Sequence, residues 1–525
     1  MTGFDVIIVG FGPTGATLAS LLGQAGIRVA VFDKLPDLYP LPRAIGLDHE
    51  AMRILQQVGI ADRLAEHIAP YRPSEYRGMD GELIMRLDMQ PRPYLQSWAP
   101  NYVFDQPALE RVLRQRVAAL STVSVFLEAE VVSTGQDDNC VWADVACAET
   151  TAPTRFRAQF LVACDGGGSP VRKRLGIELE DLDFDEPWLV VDAIVSDETL
   201  SRLPQTQVQY CEAARPSTYV IGPGNHRRWE IMLLDGDSLS PDFPDSELWP
   251  LLKRWIAPGE ARLWRAAAYR FHGLIATDWR RDRILLAGDS AHMTPPFMAQ
   301  GMVGGLRDAV NIAWKLTAIL QRGSDPSLLD TVMQERRPHM KQTILTAMGL
   351  GQIICERDPE RALERDQRLR AAYDGTIETE YRQNMIPTLT AGLLALGSPL
   401  TGALAPQPTV RAKGFEGRLD DLTGGCIRVF VLGLVGPEDK TAYLSLLEPF
   451  AGVLVQFGRE GPLNVHLLEV MECPPVLKPW LYESGQRIVI VRPDHYVYAT
   501  ARTHDEGLLY LNELCSKIIG KCEAP

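Results

Sequence analysis

The chain has 525 residues, which is too long for one compact core, so two or three domains are expected. A formal net charge of −14 excludes the basic surface that binding to nucleic acid requires, and a 46% hydrophobic content excludes a disordered chain. The nine cysteines form no C-x-x-C pair, so no metal site or redox dithiol is expected. Because neither a signal peptide nor a membrane-spanning apolar run is recognised, we expect a cytoplasmic protein.

The first predicted unit is a strand, a glycine turn and a helix. A β-branched run over residues 5–9 leads into Gly10, Gly12 and Gly15 in the spacing G-x-G-x-x-G. In this spacing the first glycine permits a tight turn, the second lets the backbone approach a pyrophosphate, and the third lets the helix pack on the strand. Asp33 ends the next strand, where a carboxylate can bind a ribose diol. The unit predicts a dinucleotide site, with FAD and NAD both open.

Two later strands each stop at an acidic glycine turn. The first ends at Asp165 and the second at Asp289, and either alone is an ordinary strand exit because Asp and Gly suit turns. Residues from about 185 to 275 alternate apolar and polar, which predicts an antiparallel sheet. Within it the pair Arg227 and Arg228 is expected on a solvated strand face, with a substrate carboxylate as the alternative. His292, beyond the sheet, is expected to be a packing or hydrogen-bonding residue. After Asp289 a proline-containing loop leads into a helix that starts at Gly301 and Met302, whose backbone N–H groups suit the pyrimidine edge of a flavin.

The three motifs in this order resemble the class A flavoprotein monooxygenases, the family of para-hydroxybenzoate hydroxylase and phenol hydroxylase. The resemblance implies that the first motif holds the ADP half of FAD. It places Asp165 where FAD and the nicotinamide pass, and Asp289 at the ribityl chain. It also places Arg43 near the isoalloxazine and Gln106 at the ribityl or phosphate group. A surface salt bridge for Arg43 and a helix cap for Gln106 are the structural alternatives.

The resemblance implies an α/β fold of three parts: a Rossmann-like FAD-binding domain of the para-hydroxybenzoate hydroxylase type, a substrate domain built on the antiparallel sheet, and a carboxyl-terminal thioredoxin-like domain without C-x-x-C. The FAD-binding domain is expected at 1–75, 101–185 and 276–345, and the substrate domain at 76–100 and 186–275. A helical linker region is expected at 346–418 and the thioredoxin-like domain at 419–525.

The resemblance further implies a monooxygenase that hydroxylates a phenolic ring with O2 through a flavin C4a-hydroperoxide. NADPH or NADH is expected to dock transiently, because only one G-x-G-x-x-G occurs. A small phenol or phenolic acid is the expected substrate and a homodimer the expected assembly. A polyketide hydroxylase, a Baeyer–Villiger-type oxygenase, a flavin dehydrogenase or oxidase without NAD(P)H, and a non-catalytic flavin protein are the alternatives. No catalytic base is assigned; His49 and Pro296 are the candidates, with a surface helix position as the alternative for His49.

Overall fold

The computed structural model describes residues 3–147, 152–240, 243–372, 377 and 379–520, so the last five residues of the expected carboxyl-terminal domain lie outside it. The helices are α1 Pro13–Gln24, α2 His49–Val58, α3 Gln106–Ala118, α4 Pro170–Arg174, α5 Asp197–Arg202, α6 Asp245–Leu252, α7 Gly301–Arg322, α8 Asp330–Cys355, α9 Pro359–Ala371, α10 Leu419–Thr423, α11 Pro437–Leu447, α12 Leu477–Glu483 and α13 His504–Ile519.

The strands of the first half are β1 Val6–Val9, β2 Val29–Phe32, β3 Gly46–Asp48, β4 Ile68–Pro70, β5 Ser74–Arg77, β6 Leu83–Asp88, β7 Asn101–Phe104, β8 Val123–Phe126, β9 Ala129–Gln136, β10 Val141–Cys147, β11 Thr154–Ala158, β12 Phe160–Ala163, β13 Leu179–Val195, β14 Gln207–Tyr210, β15 Ser217–Ile221 and β16 His226–Met232. Those of the second half are β17 Ala261–Ala276, β18 Arg280–Arg281, β19 Ile284–Leu286, β20 His292–Met293, β21 Thr379–Tyr381, β22 Thr409–Ala412, β23 Phe415–Arg418, β24 Arg428–Leu432, β25 Val453–Phe457, β26 Leu467–Glu472, β27 Ile488–Val491 and β28 Val497–Ala501.

A six-stranded sheet with the order β18-β19-β12-β1-β2-β8 carries the three predicted motifs. All its strand pairs are parallel except that of β18 with β19. Both faces are covered, because Val6 and Ile8 of β1 pack into the cluster that contains α1 and α7, while Ile7 and Val9 pack towards β10. Continuous apolar runs in β1, β2 and β12 are therefore explained by burial on both faces.

The predicted antiparallel sheet exists, and it is larger than the sequence pattern indicated. Its nine strands have the order β20-β17-β13-β16-β15-β14-β5-β6-β21. One face packs on α6 through an apolar cluster that includes Tyr219, Trp229 and Ile231. The intervening positions of the same strands point to the opposite face, because side chains alternate along a strand. That second face lies against the flavin-domain loops and forms the wall of the site described below.

The carboxyl-terminal part forms a seven-stranded sheet with the order β23-β22-β26-β25-β24-β27-β28. Strands β24, β25 and β26 are parallel, and β27 and β28 are antiparallel to their neighbours. One face packs on α11, α13 and the end of α7, where Trp314 and Ala318 join its core. The thioredoxin-like assignment stays a prediction. The alternation of strands and helices is the one that the sequence pattern indicated.

The region 346–418, expected to be a helical linker, contains strands as well as helices. The end of α8 and α9 are helical, while β21 pairs with β6 and β22 pairs with β26. These short strands add edges to the nine-stranded and seven-stranded sheets. Tertiary pairing with distant strands, rather than local pattern, therefore determines their structure.

Candidate flavin and substrate site

The glycine turn between β1 and α1 has the geometry that its spacing predicts. Gly10 has a φ of 102°, and a Cβ there would overlap the carbonyl oxygen of Cys164. A Cβ on Gly15 would overlap the carbonyl oxygen of Gly10, so the close approach of helix to strand requires a glycine. Gly12 has nothing within 4 Å of its absent Cβ and precedes α1 as its N-cap residue. The turn therefore leaves room for a phosphate at the N-terminus of α1.

A groove of about 460 Å³, named here the flavin groove, runs from this turn to the start of α7. It lies along the carboxyl ends of the parallel strands β1, β12 and β19, which is where dinucleotide sites occur in such sheets. Six of the ten residues expected to bind FAD line it: Gly12, Arg43, Gln106, Asp289, Gly301 and Met302. The catalytic candidate Pro296 also lines it. The other four, Gly10, Gly15, Asp33 and Asp165, are not among its lining residues.

The carboxylate of Asp33 is used partly by the turn itself. Its two oxygens accept hydrogen bonds from the backbone N–H groups of Phe11 at 2.7 Å and Leu35 at 2.9 Å. It remains half-buried at the end of β2. Asp33 therefore braces the glycine turn, at the end of the sheet where a ribose would lie.

Asp165 holds a buried oxygen that lacks a partner among the described residues. Its Oδ2 accepts a hydrogen bond from the Val171 N–H at 3.1 Å, while its Oδ1 has none there. Burial raises the pKa of this carboxyl. Because its neighbours Cys164 and Gly166 line the flavin groove, the unpaired oxygen lies where a cofactor hydroxyl or N–H could satisfy it.

Gln106 fixes the segment that carries Arg43. Its Oε1 accepts hydrogen bonds from the backbone N–H groups of Arg43 at 2.9 Å and Ala44 at 2.5 Å. Its Nε2 donates to Glu110, and the helix cap is Asp105 rather than Gln106. The Arg43 side chain is exposed in the groove and lies over the Tyr39 ring, so neither structural alternative describes these residues.

The start of α7 offers free backbone donors to the groove. Gln300 is the N-cap residue, and the N–H groups of the first turn have no partner within the helix. Nothing lies within 4 Å of the position of a Cβ on Gly301. This end of the helix carries partial positive charge and suits an anionic or electron-rich edge of a ligand.

A buried ion cluster, named here the α7 clamp, holds this helix start. Arg307 donates from Nη1 to the Gln300 amide oxygen at 2.7 Å, from Nε to Glu50 at 2.6 Å, and to Asp48. Tyr496 donates its hydroxyl to Glu50 at 2.7 Å. Burial alone would raise the pKa of Asp48, but Arg307 lowers it below its usual value. Tyr496, which directly precedes β28, is thus connected through Glu50 and Arg307 to Gln300 at the start of α7.

A second, smaller cavity of about 60 Å³, named here the inner cavity, adjoins the flavin groove. Pro296 and Glu230 line both spaces, so they mark where the two meet. The inner cavity is lined on one side by the nine-stranded sheet and on the other by the loops around β3 and α7. The polar side chains in its wall are Tyr71, Asn101, Tyr102, Gln207, Gln209, Thr218, Glu230, Gln300 and Arg382.

His49 lies next to this cavity rather than in it. It is the first residue of α2, is half-buried, and lines a separate small space together with Asn101 and Arg382. Burial lowers its pKa, which favours the neutral imidazole. His49 is therefore neither on the surface, as the structural alternative had it, nor in the wall of the inner cavity.

The sequence pattern misplaced two arginines and missed the residues of the inner cavity. Arg227 and Arg228 were expected on a solvated strand face or at a substrate carboxylate, and both are buried. Arg228 pairs with Asp192 at 2.7 Å, and Arg227 donates to backbone carbonyls, so both are occupied. Period two along β16 puts residues 226, 228 and 230 on one face, but this pattern does not tell which face meets a cavity.

His292 is where the sequence placed it, as a packing and hydrogen-bonding residue. It is fully buried, with Nε2 at 2.7 Å from Asp308.

Within the described ranges, no cluster of three His, Cys, Asp or Glu side chains could hold a metal ion. No helix in the part of the chain that the structure describes is both long and apolar enough to cross a bilayer.

These features fit FAD in particular. The groove continues past the glycine turn to a second helix start, and the inner cavity opens beside that far end. The unpaired oxygen of Asp165 and the free N–H groups of α7 are the donors and acceptors that such a ligand would use. Fold and site together define a flavoprotein with a small-molecule cavity at the flavin end of the groove.

Comparison with known proteins gives the family. Residues 3–347 match the FAD binding domain family model and residues 402–514 match the HcaD C-terminal domain. The chain is 36% identical to a probable NADH-specific resorcinol 4-hydroxylase of Rhodococcus jostii (strain RHA1), over 98% of this chain and 95% of that one. It is 30% identical to a 3-(3-hydroxy-phenyl)propionate/3-hydroxycinnamic acid hydroxylase of Comamonas testosteroni, over 95% and 94%.

A solved structure, aklavinone-11 hydroxylase with FAD and aklavinone, shares the fold with a TM-score of 0.77 at 20% identity, covering 99% of both chains. The chain belongs to the FAD binding domain family of flavin-dependent aromatic hydroxylases. The predicted fold class, FAD cofactor and monooxygenase activity are confirmed.

Proposed function

We propose that this chain hydroxylates a single phenolic ring, a small phenol or phenolic acid, with NADH or NADPH as the reductant. The observation that carries the proposal is the inner cavity, which meets the flavin groove at Pro296 and Glu230. Relatives named for resorcinol and for hydroxyphenylpropionate support a phenolic substrate. The name of the first of these relatives supports NADH as the reductant.

The residues that hold FAD are proposed from the geometry of the groove. Gly12 and the start of α1 bind the pyrophosphate, while Gly10, Gly15 and Asp33 shape the turn. Asp289 and Asp165 lie along the ribityl stretch, and Gln106 positions Arg43 beside it. When bound, reduced FAD supplies the activated oxygen for transfer to the ring.

Gly301 and Met302 are proposed to hold the flavin at the inner end of the groove. Their N–H groups at the start of α7 stabilise negative charge on the flavin pyrimidine edge. The α7 clamp fixes the direction in which these N–H groups point. Pro296 is proposed as a wall residue between flavin and substrate, because its side chain carries no acid or base.

The size of the inner cavity favours one ring over a polycyclic substrate. At about 60 Å³ the inner cavity is smaller than the roughly 150 Å³ that encloses a benzene-sized ring, so a single ring would occupy it together with the adjoining end of the flavin groove. Its polar lining groups are mostly neutral amides and hydroxyls, and Arg382 is the cation among them. A carboxylate on the substrate would therefore be placed at the Arg382 end.

The wall also keeps water away from the reacting atoms. Phe297 and Met298 pack with Trp188 and Phe271 over the cavity, and these rings contact one another edge to face or stacked. Such a dry wall strengthens the hydrogen bonds that hold the ring.

A homodimer in the cytoplasm is proposed as the working form of the enzyme.

Purified protein, checked for bound FAD by its absorption spectrum, tests this proposal. Oxidation of NADH and NADPH would be followed with resorcinol, 3-(3-hydroxyphenyl)propionate and a polycyclic polyketide, together with hydrogen peroxide and product. A single-ring phenol that accelerates oxidation and yields hydroxylated product with little peroxide is the expected result. Activity that requires no nicotinamide, or hydroxylation of the polyketide alone, would contradict it.

A further inference from the structure

Glu230 occupies a position that no role discussed so far explains. It lies on β16 at the point where the inner cavity meets the flavin groove, and it lines both. Only 7% of the residue is exposed. A carboxyl group is costly to bury without a partner, so its presence in this wall calls for a physical reason.

The carboxyl of Glu230 is almost without partners. Among the described residues it accepts no hydrogen bond, and the nearest cationic atom is Nη1 of Arg228 at 3.9 Å. Arg228 is itself engaged, because its Nε and Nη2 donate to Asp192 at 2.7 and 3.0 Å. The acceptor capacity of Glu230 is therefore directed into the cavities and not into the protein.

The charges around Glu230 come from all the neighbouring strands. Arg228 on β16 and Arg265 on β17 are positive, and Asp192 on β13 is negative. Burial raises the pKa of Glu230, although Arg228 and Arg265 act in the opposite direction. The other titratable side chains that line the two spaces are Tyr71, Tyr102 and Arg382 in the inner cavity and Arg43, Cys164, Tyr269, Arg270, His272 and Asp289 in the flavin groove. A carboxylate with a raised pKa is a stronger base than an exposed one.

We infer that Glu230 is a catalytic residue, the base that accepts the hydroxyl proton of the phenolic substrate. The inference rests on the proposed function and adds the acid–base partner that the sequence could not identify. Its basis is the placement of an unpaired, buried carboxyl at the junction of the two cavities, on the sheet face that also carries Thr218 and Gln209.

The step is a proton transfer. The O–H bond of the substrate hydroxyl breaks, an O–H bond forms on the Glu230 carboxylate, and the negative charge moves to the phenolic oxygen. The ring becomes more electron-rich and so more reactive towards an electrophilic oxygen. After oxygen transfer the ring carbon releases its own proton to solvent water to restore aromaticity, and Glu230 returns its proton to the original phenolic oxygen.

The experiment compares Glu230→Gln with the wild-type holoenzyme and with Glu198→Gln, a control at an exposed position on α5. Product formation and product per NADH are measured with resorcinol and 3-(3-hydroxyphenyl)propionate from acidic to alkaline pH. The same measurements use fluorinated analogues, whose hydroxyl groups ionise at progressively lower pH. Bound FAD is quantified for each protein, because an unchanged content shows that folding and the cofactor site are intact.

The expected result is a loss of product formation of about 10²- to 10⁴-fold in Glu230→Gln. Wild-type activity should rise with pH through the ionisation of Glu230, and the variant should lose that rise. The ratio of wild-type to variant product formation should fall as the fluorinated substrate becomes more acidic, because an already ionised phenol needs no base. Glu198→Gln should match the wild type throughout.

Two further outcomes distinguish a wrong role for Glu230 from a wrong proposed function. A variant that hydroxylates every analogue as fast as the wild type, or with one constant deficit, overturns the role of Glu230 alone. A wild-type protein that hydroxylates no phenol of the panel overturns the proposed function, and the role of Glu230 with it. Retained FAD in a variant with a constant deficit identifies Glu230 as a structural wall residue.

Discussion

At the scale of single residues, the shape of the flavin groove depends on glycines, because a side chain at these positions would overlap neighbouring atoms. Gly10, Gly15 and Gly288 lie where a Cβ would meet backbone or the Thr14 side chain. Thr14 fills the space between the glycine turn and the Asp289 motif, because it also contacts the position of a Cβ on Gly305. The glycine turn, the turn that carries Asp289 and α7 therefore meet at one threonine.

Gly15→Ala tests the close approach of α1 to β1. The added methyl group would overlap the Gly10 carbonyl, so the turn must shift. We expect the free energy of unfolding to fall by about 1–3 kcal/mol and the content of bound FAD to decrease clearly. Gly349→Ala is the matched control, since it lies exposed in α8 with open space at its Cβ position. That substitution should be neutral or stabilise the helix by up to about 1 kcal/mol. Thermal unfolding and FAD content check both, and equal behaviour of the two variants would refute the packing argument.

At the scale of elements, Asp308 ties three segments to α7. Its carboxylate accepts hydrogen bonds from the Gly288 N–H at 3.0 Å and from Arg336 of α8 at 2.9 Å, and it pairs with His292 at 2.7 Å. Burial alone would raise the pKa of Asp308, but His292 and Arg336 lower it to about 2. This residue fixes the Gly-Asp motif against the helix whose start faces the flavin.

Asp308→Asn should destabilise the protein by about 3–5 kcal/mol at neutral pH, because it leaves Arg336 buried without its counter-charge. Since the folded pKa of about 2 lies below the ordinary 3.8, the contribution of this carboxylate is present above pH 3.8 and is lost as the pH falls towards 2. The difference in unfolding free energy between wild type and variant should therefore narrow in that window. Asp235→Asn, at an exposed loop position, is the control. A difference that stays constant with pH would contradict the assigned pairing.

The same scale shows what the sequence could predict and why it stopped there. The strand, turn and helix around Gly10, the strand exits at Asp165 and Asp289, and the helix from Gln106 are local patterns, and the structure contains them. Arg228 was misplaced because its burial depends on Asp192, a partner 36 residues away in sequence. Glu230 was missed because nothing local tells which face of β16 meets a cavity.

At the scale of the whole molecule, the carboxyl-terminal sheet is joined to the flavin domain by buried charges. Arg492 donates to both oxygens of Glu335 on α8, at 2.9 and 2.6 Å, and to Asp494. Asp494 accepts from Trp314 and Asn311 of α7, and Lys315 donates to Glu335. With the α7 clamp, this cluster makes the two parts one cooperative unit, so flavin release and unfolding of the carboxyl-terminal sheet should coincide.

Arg492→Leu tests that coupling. Removing the cation leaves the carboxylates of Glu335 and Asp494 buried without it. We expect the free energy of unfolding to fall by about 3–5 kcal/mol and FAD binding to weaken, although Arg492 is remote from the groove. Arg411→Leu, which breaks the exposed pair with Glu460, should cost less than about 1 kcal/mol. Calorimetry with simultaneous flavin fluorescence checks both variants. Separate transitions for the flavin and for the rest of the chain would show that the two parts are independent.

The central claim is that this chain transfers one atom of molecular oxygen to a phenolic ring in a cavity beside FAD. The most direct measurement is turnover of resorcinol with NADH under ¹⁸O₂, with the product analysed by mass spectrometry and NADH counted against product. We predict one labelled oxygen atom in each product molecule and close to one NADH consumed for each. Product that carries oxygen from water, or NADH consumption that yields hydrogen peroxide alone with every phenol tested, would contradict the account.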